Sequence, residues 1–403
     1  MIRIATKWMY DQGVAAMQSQ QSALVKTQEQ LATGRRVLTP ADDPVASAEA
    51  LRISQADELN TQYARNQGML RNRLDLAESV ISSVDETYQQ VRSTLVQAGN
   101  GAFADPDRTV LATQLQSLYQ QLIGLANSRD GNGRYLFSGG KDGTQPFTAT
   151  ASGASYNGDE GQRLIQVSAS RQLATSDNGS DIFERGLTGN GVFVSSVGAT
   201  NAGSAIISQG LVSNPGLLTG HDYQIQFSLS AGVTTYAVQD MTSSAVVSSG
   251  NSYTAGSPIS FGGMQMSVDG TPAAGDTFDV KPSRRQSVFA TLVDSINLLN
   301  TSAATGSAKA RLATGLTQSI ANIDHAFDRL QNIHTDIGTR MAETDALESV
   351  NSNQSLVFKT QLSKLRDIDY AATISTMSAQ QQSLSAAQQS YAKITKLTLF
   401  DFI

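Results

Sequence analysis

At 403 residues and 42.7 kDa the chain is long enough for two or three domains with cores of their own. It contains no Cys, which excludes disulfides, thiolate catalysis and Cys-ligated metals. The formal charge is −6, and no basic block exceeds Arg35-Arg36 and Arg284-Arg285, which argues against nucleic acid as a partner.

No apolar run approaches the roughly 18 to 20 residues that span a bilayer, so membrane insertion is not expected. The N-terminal stretch MIRIATKWMYDQGVAAMQSQQ lacks an apolar h-region, and a Sec-type signal peptide is not expected there. Residues 1–34 predict a helix with a narrow stripe. Tyr10, Met17, Leu24 and Leu31 recur every seven residues, with Val14 beside them, in a background of Gln and Ser. One apolar residue per heptad is too thin for an independent helix. Gly34 stands where a C-terminal cap belongs. Pro40 breaks the pattern, and Asp42, Asp43 and Pro44 read as a capping turn, with Asp43 at the cap and Pro44 at the first helical position. The two carboxylates could also serve acid–base or metal chemistry, but capping explains them more simply.

A long helix is predicted from Pro44 to about Ala98. Leu70, Leu74, Ala77, Ile81, Val84, Tyr88, Val91 and Leu95 keep an unbroken 4-3 spacing along it. Such a helix would be about 80 Å long, beyond the usual size in a globular domain, which implies an elongated molecule. Gly99-Asn100-Gly101 ends it, and Asp105-Pro106 opens the next helix by the same cap-plus-Pro device, with Leu111, Leu115, Leu118, Leu122 and Leu125 as its stripe. The two adjacent helices should form an antiparallel hairpin.

From Gly131 to Pro282 the period changes and Gly, Ser, Thr and Asn become frequent. Short strands are expected at 135–137 and 164–167. Tyr223, Ile225, Phe227 and Leu229 alternate, as do Thr234, Tyr236 and Val238, with Ala231-Gly232 between them, which reads as a β-hairpin. Met264, Met266 and Val268 alternate too, followed by Phe278 and Val280. After Pro282 helices return, with one stripe at Phe289, Leu292, Ile296 and Leu299. A longer stripe runs Leu312, Leu316, Ile320, Ile323, Phe327, Leu330, His334, Ile337 and Met341, and places His334 as a buried histidine. His325, nine residues before it, falls on the opposite face, so the two cannot share a metal ion. The last segment repeats the thin pattern of the first: Tyr370, Met377, Leu384 and Tyr391 recur every seven residues. The chain stops on Leu397, Leu399, Phe400, Phe402 and Ile403, far too short a run for a membrane anchor.

These patterns predict an α+β fold, mainly α: an elongated, discontinuous helical rod with an inserted antiparallel β domain. Residues 1–40 and 351–403 would form a terminal coiled coil, 41–190 and 283–350 a helical rod with short strands, and 191–282 the inserted β domain. The two thin heptad stripes read either as ordinary bundle core or as an intermolecular seam. Both ends are expected to be largely disordered in the monomer and to become helical on assembly. No cofactor, metal or catalytic set is expected. An enzyme in the insertion would have only His221 to work with, and a surface adhesin there has no specific residue behind it.

Two long segments at opposite ends carry a family resemblance. LATGRRVLTPADDPVASAEALRIS (31–54) resembles the N-terminal signature of the flagellin superfamily, and LRDIDYAATISTMSAQQQSLSAAQQSYAKITKLTLFDFI (365–403) its C-terminal signature. Within that superfamily the type 3 hook-associated family is the most similar. The 39–44 turn, GNGRYLFSGGKDGTQPF (131–147) and GDTFDVKPSRRQSVFATL (275–292) resemble that branch, whereas the interior of the insertion, about 195–260, matches less specifically. The resemblance implies a secreted structural subunit, exported unfolded by the flagellar type III route. It implies self-assembly in a ring-like or helical array as a junction between the hook side and the flagellin filament. The implied partners are itself, the neighbouring hook-associated protein, flagellin and a flagellar export chaperone. The implied subunit interface is Tyr10, Met17, Leu24, Leu31, Tyr370, Met377, Leu384 and Tyr391, with Leu397, Leu399, Phe400, Phe402 and Ile403 as chaperone or polymer contact. The alternative is a flagellin filament subunit.

Overall fold

The structure is a computed structural model that describes residues 2–396. In chain order come α1 (Ile2–Thr33), α2 (Pro44–Ala98) and α3 (Asp105–Ala126), then β1 (Phe147–Thr150), β2 (Gly153–Tyr156), β3 (Leu164–Ser168), β4 (Arg171–Ala174) and the short α4 (Gly179–Phe183). Next are β5 (Gly186–Leu187), β6 (Phe193–Val197), β7 (Ile206–Ile207), β8 (Leu211–Val212), β9 (Tyr223–Ser230), β10 (Val233–Asp240) and β11 (Val246–Ser252). Last come β12 (Pro258–Phe261), β13 (Met264–Asp269), β14 (Thr277–Pro282), β15 (Arg285–Gln286), α5 (Val288–Leu299), α6 (Gly306–Arg366) and α7 (Tyr370–Lys396). The fold is mainly helical, with an antiparallel β region inserted between helices, as the sequence pattern implies. Two compact units divide it, 1–67 with 346–403 and 68–345, and the boundary runs through α2 and α6.

In the unit 68–345, the predicted α2 stripe is the core. Leu70, Leu74, Ala77, Ile81, Val84, Tyr88, Val91 and Leu95 are all buried, as are Leu111, Leu115, Leu118 and Leu122 of α3. Tyr119, Phe147, Phe183 and Phe289 close a ring cluster. Phe289 lies 5.1 Å from Phe147 and 5.6 Å from Phe183, centroid to centroid. β2 packs tightly on α5 there, and at Gly153 (φ +134°) a Cβ would stand 2.8 Å from the Ala290 nitrogen, so a side chain is barred. The Gly153 carbonyl accepts the Tyr119 hydroxyl at 2.7 Å.

Tyr88 differs from its neighbours in the stripe. Its hydroxyl is buried without a hydrogen-bond partner among the described residues, and burial pushes the phenol pKa far up. An orphaned hydroxyl in a dry core costs about 1–3 kcal/mol. Tyr88→Phe is therefore expected to raise stability by about 1 kcal/mol. Urea denaturation tests this, and a clear loss of stability would show that the hydroxyl is satisfied.

Four local expectations are corrected. Residues 135–137 are not a strand: Tyr135 makes an isolated bridge to Arg129, and Ser138 one to Asn178, although Tyr135, Leu136 and Phe137 are buried. α3 is capped one residue earlier than expected. Ala104 is the cap, and its N–H donates to Asp107 Oδ2 at 3.0 Å, which frees Asp105 to accept from Ser302. His334 is not buried in the α6 stripe; its ring is 38% exposed and its Nε2 sits on Glu78 of α2. The stripe instead continues through a charge, because Arg340 is buried and its Nη2 donates to both carboxylate oxygens of Asp177 at 2.8 Å.

The inserted region consists of two antiparallel sheets around one core. The larger has the order β11-β10-β9-β14-β6; the smaller is β12-β13-β7, with β8 also on β13. β9 and β10 form the predicted hairpin, closing at Ser230↔Val233 over Ala231 (φ 51°) and Gly232 (φ 80°). Two successive positive φ values are what a two-residue hairpin turn needs to match strand twist. The alternating residues of β13 and β14 belong to different sheets, and Ile225, Phe227, Phe278 and Val280 pack against Ile259, Met264, Met266 and Val268 across the layer.

Candidate assembly surface

The unit built from 1–67 and 346–403 holds the predicted interface residues. α1 and α7 run antiparallel, with Tyr10 edge-on to Tyr391 at a centroid distance of 6.0 Å. Gly13 fits beneath that ring, since a Cβ there would meet Tyr391 at 3.3 Å. Met17, Leu24 and Leu31 follow Tyr10 in heptad steps along α1, and Leu384, Met377 and Tyr370 precede Tyr391 by the same steps along α7. At the near end the Tyr370 hydroxyl lies against Gly34, 2.8 Å from where a Cβ would be. The two helices thus meet within one chain at Tyr10 and Tyr391, and the stripe residues stay half-exposed or exposed. Among the described side chains of α1 and α7, no apolar one is buried, and Tyr370 is 55% exposed.

Two chain reversals anchor this pair. Gly34 takes φ +68° and ends α1, with the Arg35 N–H reaching back to the Gln30 carbonyl at 3.2 Å, a Schellman closure. The 34–36 segment is stitched to the return between α6 and α7. Arg36 N–H donates to the Arg366 carbonyl, Arg36 Nη2 to the Leu365 carbonyl at 3.0 Å, and Ile368 N–H to the Gly34 carbonyl at 3.1 Å. Asp43 Oδ1 accepts the Ala46 N–H at 3.0 Å at the start of α2, where Pro44 is the first residue. Asp42 does different work. Its carboxylate closes the preceding turn, accepting the N–H groups of Leu38 and Thr39 and pairing with Lys26 at 2.6 Å. Lys26, then the Thr39 N–H, hold the Asp42 carboxyl down to about 2. A carboxyl held below its free value lends stability above that value and loses it as pH falls through the folded one, so the turn stays closed at neutral pH.

α2 and α6 meet in this unit over a seam that is short on apolar atoms. Ala46, Ala50 and Ile53 are buried, and Asn60 and Asn351 exchange amide-to-carbonyl hydrogen bonds of 2.9 Å each. Each bond runs from a side-chain Nδ2 to the partner's backbone carbonyl, and the reciprocal pair can form at one register only, which fixes the alignment of the helices. Large apolar side chains are meanwhile left outside: Trp8 at 62% exposure, Leu51 at 57%, Leu59 at 53%, Val350 at 64% and Leu356 at 66%. The heptad pattern marks the stripe residues but not this set. The signal is faint, because the exposed residues fall between the stripes in a Gln- and Asn-rich background. Leu397, Leu399, Phe400, Phe402 and Ile403 lie outside the described residues.

Comparison with known proteins places this geometry. The profile of the bacterial flagellin N-terminal helical region matches residues 4–142, and that of the D2-like domain of flagellar hook-associated protein 1 matches residues 197–282. Flagellar hook-associated protein 3 of Salmonella typhimurium is 28% identical over 399 residues, 99% of each chain. The crystal structure of the flagellar junction protein FlgL from Legionella pneumophila superposes with a TM-score of 0.70 at 32% identity, covering 79% of this chain and all of that one. A flagellin of Listeria monocytogenes matches at 29% identity over only 27% of this chain and 38% of its own. With near-complete coverage on both sides, and a flagellin match confined to a quarter of the chain, the protein belongs to the flagellar hook-associated protein 3 family.

Proposed function

We propose that this chain is the hook–filament junction subunit of a bacterial flagellum, a structural, non-enzymatic component of the extracellular organelle that assembles with other flagellar parts. The observation that carries the reading is the unit 1–67 with 346–403. It orders two long helix pairs around little buried apolar surface and leaves Trp8, Leu51, Leu59, Val350 and Leu356 outside. A monomer gains nothing from such a surface, whereas a polymer buries it between copies.

The finer assignments rest on the family and the heptad pattern. The terminal coiled coil would comprise 1–40 with 351–403, the rod 41–190 with 283–350, and the outward-facing domain 191–282. The seam of Tyr10, Met17, Leu24 and Leu31 against Tyr370, Met377, Leu384 and Tyr391 would hold the two terminal helices together while neighbouring copies cover its open side. The adjoining hook-associated protein and flagellin would flank the array, and an export chaperone would shield the apolar C-terminus before secretion.

Deletion of the gene is the test of the role. Hooks without filaments, with unpolymerised flagellin in the medium, are the expected result; normal motile flagella in a strain with no second copy would overturn it. The thin seam carries its own prediction. In dilute protein, amides of 1–30 and 370–400 should exchange many-fold faster than those of 70–95, because among the described side chains no buried apolar one supports the terminal pair. Uniform protection of both ends would reject order gained on assembly.

A further inference from the structure

The basic pair Arg284-Arg285, singled out in the sequence, has no part in the seam. It lines a groove of about 540 Å³ at the root of the inserted domain. The strand β14 delivers Lys281 to the rim, and the chain then turns through Ser283 and Arg284 into β15. That turn is pinned by its backbone. The Arg284 N–H donates to the Thr188 hydroxyl at 2.9 Å, the Thr188 N–H donates to the Arg284 carbonyl at 3.0 Å, and the Ser283 hydroxyl donates to the Thr188 carbonyl at 2.7 Å. The side chains of Lys281, Arg284 and Arg285 are left exposed or half-exposed. Lys281 has only a long contact of 3.9 Å to Asp279, and neither arginine has an ion-pair partner among the described residues.

Beneath this rim the floor is apolar where Leu298 packs against Gly315. A Cβ on Gly315 would come within 2.6 Å of the leucine, so α5 and α6 approach closely there. One carboxylate, Asp294, lies on the wall; Gln286 donates to it at 3.0 Å, and burial pushes its pKa up. Three cations against one acid leave the groove positive in a chain whose net charge is −6. That combination suits a segment bearing a carboxylate beside an apolar side chain.

The chain carries such a segment on its own surface. On the outer face of α2, Glu58 has no ion pair among the described residues, and Leu59 next to it is 53% exposed. We propose that the groove of Lys281, Arg284 and Arg285 receives the Asp57–Leu59 segment of a second copy of this chain, the glutamate on the arginines and the leucine over Leu298. The inference rests on the self-assembling role and names a contact for it. It also gives a function to the basic pair at the edge of the insertion.

The absence of Cys makes the test clean. Two full-length proteins are mixed at high concentration under mild oxidation. One carries Gln62→Cys, a turn beyond Glu58, and the other Gln286→Cys in the groove, so that all charges are kept and only contacts between copies are trapped. Mixed disulfide should form at least tenfold faster than with Ser252→Cys, an exposed site on β11, as the second partner. Added Arg284→Glu and Arg285→Glu should reduce the rate to that control, and Glu58→Arg in the other chain should restore it. Trapping no faster than the control overturns the proposal, and so does failure of the charge swap to restore it, which would assign the groove to some other acidic partner. Neither result depends on whether the gene supports filaments, so the junction role is judged separately.

Discussion

Arg340→Ala is expected to lower the stability of the 68–345 unit by about 3–5 kcal/mol, the usual cost of stranding one partner of a buried ion pair. The guanidinium gives Asp177 two contacts of 2.8 Å, and its Nη1 reaches the Ala174 carbonyl at 3.2 Å. Both side chains are at most 10% exposed. The pair matters beyond its own bonds because Asp177 adjoins the start of α4. Asn178 caps that helix by accepting the Asp181 N–H at 2.9 Å, and α4 places Phe183 against Phe147 and Phe289. Losing the arginine should therefore loosen β4, α4 and the ring cluster together. Arg340→Lys should recover only part of the loss, since one ammonium can replace the Nη2 contacts to Asp177 but not at the same time the Nη1 bond to the Ala174 carbonyl. Replacing the pair together, Arg340→Met with Asp177→Leu, should cost far less than Arg340→Ala, because no charge is then left without a partner. The single Trp8 lies in the other unit and is a poor reporter. Hydrogen exchange of 164–183 and near-ultraviolet circular dichroism under urea are the suitable measurements. A loss below about 1 kcal/mol would mean that the pair is solvated and behaves as a surface bridge.

That ion pair also marks where the sequence stops being legible. The α2 stripe from Leu70 to Leu95 can be read because eight apolar residues hold one spacing without a break, and all eight are buried. The hairpin of β9 and β10 can be read because alternation on both sides flanks a two-residue turn containing Gly. Arg340 breaks the α6 stripe with a charge that a one-dimensional reading assigns to solvent, and its partner is 163 residues away. Tyr135, Leu136 and Phe137 look like a strand because they are apolar and aromatic, but burial there comes from packing, and no neighbouring strand supplies a ladder. Alternation likewise places β13 and β14 as strands without revealing that they belong to opposite sheets, since pairing depends on partners distant in the chain. At the candidate surface, the heptads mark Tyr10 and Tyr391, and the structure brings those two rings together. Exposure of Val350 and Leu356 is hidden, because an apolar residue in a helix is read as core until the packing of its neighbours is known.

Those two residues separate folding from assembly. Val350→Asp and Leu356→Asp, made together, should leave the isolated protein unchanged within about 0.5 kcal/mol, as expected for exposed positions with no special contacts. At 64% and 66% exposure the new carboxylates remain in water while the chain is alone. If neighbouring copies cover both positions, assembly must strip water from two anions, and the penalty after relaxation is several kcal/mol per ion. About 3 kcal/mol per contact already weakens association by about two orders of magnitude, and an array repeats the contact in every copy. The expected result is a protein with an unaltered melting temperature that is exported but does not hold filaments, so that flagellin accumulates in the medium. Val350→Ala and Leu356→Ala, which remove apolar area without adding charge, should give a milder loss of filament retention. Full filament retention in the Asp pair, with normal export, would show that both of these positions on α6 point to solvent in the assembled flagellum, and the contacts between copies would then have to be sought on α1, α7 and the exposed side of α2.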